Sequence, residues 1–285
     1  GGYSYIGGVA NGVTIAGDSV MPGTGLFDIT GRRGDGYVRI TLPEGTDFTA
    51  GNQTGKISIG GGVNVGDVKT AATGFDIELA ASAGDVSIGR DAAFNNTGAL
   101  QLGSGSDAQT VSVTGSLDTT TNALTKLGAN VTTSTTQSYN NVQLLSNVTL
   151  STTNGAVSFA GALDSAAEQA NDLTVRAGSG AIILSGEVGA TASTALGAIE
   201  LNSTGTTTLG APITAARLQT NSGGTLAIEG GAVTTSGTQR YGEAVTLEAN
   251  TTLTSAGGAD ITFASTVDGA VDLAINTAGT TVFND

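Results

Sequence analysis

Apolar and polar residues alternate along this chain in short bursts, never in long runs. Between Val245 and Phe283 the segments "VTL", "TTL", "ITF", "DLAI" and "TTVF" follow one another at intervals of roughly 6 to 12 residues. Upstream, "DLTV", "AIIL", "AIEL", "TTTL" and "TLAI" keep the same beat, with Gly, Asn or Ser soon after. From Gly55 to Leu117 it is carried by "KISI", "VNV", "FDIEL", "DVSI", "ALQL" and "TVSV". Alternation with a period of two over so few residues predicts short strands, one face inward and one outward. Gly and Asn between them suit the positive φ angles of tight corners.

A longer repeat lies over this beat. "TQSYNNVQLLSNVTLSTTNGAVSF" (Thr136 to Phe159) runs parallel to "TQRYGEAVTLEANTTLTSAGGADITF" (Thr238 to Phe263). Tyr139 matches Tyr241, Leu150 matches Leu253 and Phe159 matches Phe263, at offsets of 102, 103 and 104. Slips of single residues belong in turns. The copies continue as "GALDSAAEQANDLTV" and "ASTVDGAVDLAI", and the residues missing from the second fall beside Asn171 and Asp172, between predicted strands. Drift in loops with retention of strands is what repeat architectures tolerate. The expectation is that Tyr139 and Tyr241 occupy equivalent positions in the coil.

Short strands at this spacing fit either a sandwich or a β-solenoid. Composition separates the two. Aromatic residues are 4% of the chain and Trp is absent, so few large side chains exist to fill a globular centre. Stacked coils of roughly 20 residues, about 4.8 Å apart, need only small inward side chains lying like on like. The reading is therefore an all-β parallel β-helix, and coiling throughout would give about 14 coils and a rod near 70 Å. The first third reads differently, because "GTGLFDITGRRGDGYVRITLPEGTDF" (Gly23 to Phe48) gathers Phe27, Arg32, Arg33, Tyr37 and Pro43, with Pro22 just ahead of it. It suits an N-terminal cap of the solenoid or a small separate β-sandwich. The organisation expected is a β-rich region over residues 1–117, a polar connecting segment over 118–135 and a long-repeat solenoid over 136–285. The start at Gly1 and the end inside a repeat unit suggest a chain processed or excised from a longer one.

Chemistry is sparse. The chain has no Cys and no His, which removes disulfides, thiolate metal sites and the usual neutral-pH proton shuttle. A formal charge of −14 disfavours nucleic acid and anionic membrane surfaces. No apolar run approaches the roughly 18 residues that cross a bilayer. Carboxylates are plentiful, with Asp164, Glu168 and Asp172 close together and Asp28, Asp35 and Asp47 likewise. They are scattered among predicted turns without the aromatic platform that sugar subsites favour, so catalytic residues and organic cofactors are expected to be none. "GSGSD" (Gly103 to Asp107) partly matches a calcium-binding Gly and Asp turn, which makes Asp107, Asp164 and Asp172 the calcium candidates. "RRGDG" (Arg32 to Gly36) contains the integrin tripeptide in what reads as an exposed turn. Thr-rich stretches such as "TTSTTQ" and "GTTTLG" read as outward strand positions, without the strict Thr-x-Thr of an ice-binding array. Asn-x-Ser/Thr triplets at Asn52, Asn95, Asn147, Asn202 and Asn250 are expected by chance in so Thr-rich a chain.

The pattern "TQRYGEAVTLEANTTLTSAGGADITFASTVDGAVDLAINTAGTTVF" resembles the long repeats of bacterial secreted β-solenoid surface proteins, the filamentous-haemagglutinin-like adhesins, over residues 136–285. The resemblance implies a right-handed helix, secretion to the extracellular space or the cell surface, and a role in adhesion, aggregation or biofilm. The Asn-Pro-Asn-Gly sequence often present in the secretion domain of such systems is absent. Partners expected are copies of the chain itself, or glycans and proteins of a host or neighbouring cell. End-to-end pairing would use Tyr3, Tyr5 and Ile6 at one end and Thr281, Val282 and Phe283 at the other. A polysaccharide-binding or polysaccharide-cleaving β-helix is a third reading, which a row of exposed aromatics would support.

Overall fold

A computed structural model of the chain describes residues 27–28, 48–50 and 55–284. All described strands pair in parallel, from Phe27–Asp28 to Thr281–Phe283, and no helix occurs among the described residues. Purely parallel pairing excludes the antiparallel sandwich. The strands stack into a right-handed β-solenoid of about 11 turns.

Each turn visits three faces in a fixed order. Lys56–Ile59 opens face I, Val63–Val65 face II and Val68–Thr70 face III, and the next turn repeats them with Asp76–Leu79, Val86–Ile88 and Ala92–Ala93. Face III is one unbroken ladder of twelve strands, from Phe27–Asp28 to Val267–Asp268. Faces I and II are separate ladders until the long strand Ile213–Thr220, which bends around the corner between them. Its first part pairs with Ala232–Thr235 and its second with Gln239–Tyr241. Just below it face I has thinned to a single bridging residue, Val188, which joins Leu163 to Ile213.

The alternation read from the sequence decides which residues fill the tube. Leu117, Gln137, Val157, Ile182, Thr207, Leu226 and Val245 form one inward column of face III, and all are buried. On face I, Ile77, Leu100, Thr125, Val142 and Leu163 do the same. Each turn contributes only a few medium-sized side chains, and stacking closes the tube above and below them. At roughly 1.5–3 kcal/mol per buried Val, Leu or Ile, stability accumulates turn by turn.

Turn length varies with the corners. Leu226 to Val245 is a turn of 19 residues and Ala92 to Leu117 one of 25. The described residues make about 11 turns and roughly 50 Å, where about 14 coils and 70 Å were expected of all 285 residues coiling. Residues 118–135 are no connecting segment. They hold Leu124–Leu127 on face I and Asn130–Thr133 on face II, each paired on both sides. Their polar appearance comes from outward residues such as Asp118, Thr120 and Thr132, joined by Thr119, Asn122 and Thr125, which are buried and hydrogen-bond inside the tube. In the first third, the strands from Lys56 onward belong to the same ladders, and Phe27–Asp28 pairs in parallel with Phe48 and Thr49 on face III. The rest of "GLFDITGRRGDGYVRITLP" lies outside the described residues.

Candidate functional site

The long repeat survives in the structure as a corner. In the first copy, Asn130–Thr133 leads into Gln137–Tyr139. There Tyr139 Oη donates to Gln137 Oε1 at 2.8 Å, and Gln137 Nε2 donates to Ser151 O one turn on at 2.9 Å. Val131 O and Thr133 Oγ1 also accept from that amide, both at 3.4 Å. In the second copy, Tyr241 Oη meets Gln239 Oε1 at 2.8 Å, and Gln239 Nε2 reaches Thr254 O at 2.9 Å and Val233 O and Thr235 Oγ1 at 3.2 Å. Each tyrosine ring stacks on the matching phenylalanine of the next turn, Phe159 at 5.2 Å and Phe263 at 4.9 Å.

Burial pushes both phenols well above the ordinary tyrosine range. These side chains are the packing of the tube, and "VTTS-x-TQ-x-Y" is the sequence signal that marks them. The expected equivalence of the two tyrosines holds for the corner but not for the coil. Tyr139 lies on face III and Tyr241 on face II, so the second copy is turned back by one face.

A second motif accounts for many of the acids. At the corners a carboxylate or carboxamide oxygen accepts the backbone N–H of the following turn, as Asp85 does from Thr110, Asn130 from Thr149 and Asp260 from Thr280. Two of the calcium candidates belong to one such ladder. Asp107 accepts from the backbone and side-chain N–H groups of Asn147, Asn147 Oδ1 accepts from Asp172 N, and Asp172 Oδ1 accepts from Ala198 N at 2.6 Å. Asp164 does the same on another corner, taking Ala190 N at 3.0 Å. Asp91 accepts both the N–H and the hydroxyl of Ser116, which holds its carboxyl below the ordinary range. Among the described residues no three or more His, Cys, Asp or Glu side chains stand together as a metal site. Asp28 has only its backbone described, and Asp35 and Asp47 lie outside the described residues.

The outward threonines make no regular array. Thr206 and Thr225 bring their hydroxyls to 3.3 Å on face III, but Thr208 is followed in its column by Ala227, and Thr225 by Ala244. Of the end residues, Tyr3, Tyr5 and Ile6 lie outside the described residues, as do Arg32 to Gly36. At the other end Thr281 is exposed and Val282 half-buried, while the Phe283 ring stacks on Phe263 at 4.9 Å and is 54% exposed. Phe283 also lines an open recess of about 310 Å³ with Leu247, Val267, Val271 and Leu273. The recess is the unfilled inside of the last turn.

One side chain that sequence reasoning missed is Glu243. It stands on the corner between Gln239–Tyr241 and Ala244–Leu247 and is 2% exposed, and neither carboxyl oxygen has a hydrogen-bond partner. Burial raises its carboxyl above the ordinary glutamate range, only partly offset by the nearby Thr220 hydroxyl and the N–H groups of Glu243 and Gly242. Its signal was an acid where the other copy of the repeat has Asn141. Against known proteins, the chain matches no family model, no curated protein and no solved structure.

Proposed function

We propose that this chain is a non-enzymatic structural rod, secreted or displayed at a bacterial cell surface, that works in adhesion, aggregation or biofilm matrix. The observation behind the reading is the unbroken twelve-strand ladder of face III, flanked by two further ladders around a largely apolar core. Such a stack is stiff, presents long faces of small polar residues, and commits its interior polar groups to holding turn on turn. Its partners in this reading are glycans or proteins of a host or neighbouring cell, or further copies of the chain. It uses no cofactor, and calcium is the ion to test at the ladder of Asp107, Asn147 and Asp172.

Display of the chain on a non-adherent bacterium tests the proposal. Increased settling or attachment relative to cells bearing an unrelated β-solenoid supports it; equal behaviour on all surfaces and with all cell types tried refutes it. A second reading, a self-polymerising filament subunit, is favoured by Phe283, an aromatic of the inward column left open on the free edge of Thr281–Phe283. That edge accepts one more turn, from following chain or from another copy. Sedimentation of a concentration series distinguishes the readings: a monomer throughout rules the polymer out.

A further inference from the structure

The corner that carries Glu243 has a consistent design in the four turns before it. The residue entering face III is Gly155, then Gly180, Gly205 and Gly224, each two positions ahead of the inward column of Val157, Ile182, Thr207 and Leu226. A side chain on any of these would collide with the backbone of the turn below: Thr135 for Gly155, Gly155 for Gly180, Ser179 for Gly205 and Gly205 for Gly224. Glu243 follows Gly224 in this column, two positions ahead of Val245, which pairs with Leu226. Of these five successive positions only Glu243 carries a side chain, and its carboxyl is buried without a partner.

The matching residue of the first repeat shows what the position normally holds. Asn141 carries a neutral amide with both ends used: Oδ1 accepts from Ala162 N at 3.0 Å and Nδ2 donates to Ala123 O at 3.1 Å. Rotation of the second copy by one face places Glu243 at a different corner, where those partners are missing. The Thr220 hydroxyl on the neighbouring turn accepts from Gly242 N at 3.0 Å, and its single O–H offsets the burial of the carboxyl only in part.

Among the described residues no charge compensates it. On the strands packed around the corner, Arg217, Arg240 and Asp268 are exposed, and so are the flanking Glu229, Glu248, Asp260 and Asp272. The inward residues Leu218, Leu226, Val245, Ile261 and Phe263 are apolar. The other titratable group inside, Tyr241, has its hydroxyl committed to Gln239. An isolated carboxylate in such a place would be left unsolvated, whereas a carboxylic acid is tolerated far more readily.

We infer that Glu243 is a proton-operated latch: protonated, it lets the turns from Thr220 to Leu247 pack closed, and its ionisation loosens this corner of the rod. The sign follows from linkage. A carboxyl that holds its proton more tightly folded than unfolded favours folding fully below the ordinary glutamate range. That contribution is lost as the pH rises through the folded-state value. The rod is therefore tightest at this corner in mild acid and loosens toward neutral and alkaline pH.

The test is the thermal midpoint of the full chain from pH 4 to 9, for the natural sequence and for Glu243→Gln. The variant is expected to melt higher by about 3 °C at pH 8, with the difference shrinking toward pH 4. A difference that stays constant across the range, or none at all, overturns the inference. Should the variant fail to fold, the ¹³C titration of the Glu243 carboxyl in the natural chain decides it. A midpoint above the ordinary glutamate range supports the latch, and one at or below that range overturns it.

Discussion

The two buried corners make a prediction in which one measurement serves as control for the other. Replacing Gln239 with Leu keeps the volume but leaves the Tyr241 hydroxyl, fully buried, without its acceptor at 2.8 Å. An orphaned buried donor costs about 1–3 kcal/mol, and the acceptors Thr254 O and Val233 O lose their side-chain donor as well. Added apolar burial offsets part of this, so Gln239→Leu should destabilise by about 2 kcal/mol. Tyr241→Phe should cost about 1–2 kcal/mol by orphaning Gln239 Oε1.

The double variant removes both partners at once. It should be less destabilised than the sum by a coupling of about 1–2 kcal/mol. The same cycle on Gln137 and Tyr139 should return the same coupling to within about 0.5 kcal/mol, because the bond there is also 2.8 Å and equally buried. Guanidinium unfolding followed by far-ultraviolet circular dichroism, fitted per variant with its slope, supplies the numbers. A coupling near zero at either corner, or opposite signs at the two, would refute the claim that one motif is used twice on different faces.

Three further expectations complement it. Gly180→Ala places a Cβ against the carbonyl of Gly155 and should destabilise by roughly 2 kcal/mol or more, read by the same unfolding curves, whereas a neutral result would mean that the corner is free to shift. Because burial raises both phenols, an alkaline titration at 295 nm should leave at least two of the five tyrosines, Tyr139 and Tyr241, un-ionised until the fold is lost; stability falls as the pH climbs past the unfolded tyrosine value, and five tyrosines titrating before unfolding would contradict the packing. Asn147→Ala severs the ladder between Asp107 and Asp172 and should cost about 1 kcal/mol, with faster amide exchange at Asp172, and unchanged exchange there would remove the ladder from the account.

Much of the architecture was legible before any coordinates, for an identifiable reason. Strand alternation has a period of two, so "VTL" or "ITF" states its own inward residues, and Gly or Asn states where the chain turns. These local signals are strong because each turn buries its side chains against its immediate neighbours. The corner motif was legible too, through Tyr139 and Tyr241, although the role of Gln137 and Gln239 was not: a glutamine in a Thr-rich stretch looks solvated until the tube closes over it. The stretch 118–135 misled for the same reason, since Asn122 and Thr125 are polar by composition and buried by position.

By itself, then, the sequence determined the short parallel-ready strands, their inward residues and the recurrence of one corner about a hundred residues apart. Tertiary structure alone decided on which face each strand falls. That phase is a running total of turn lengths, which run from 17 residues (Thr125 to Val142) to 26 (Leu173 to Ile199), and one corner more or fewer changes the face without changing any local pattern. So Tyr139 and Tyr241 share every hydrogen bond and not a face, and Asn141 is satisfied where Glu243 is stranded. Burial of a charge depends on what the neighbouring turns put beside it, and those turns are tens of residues away along the chain.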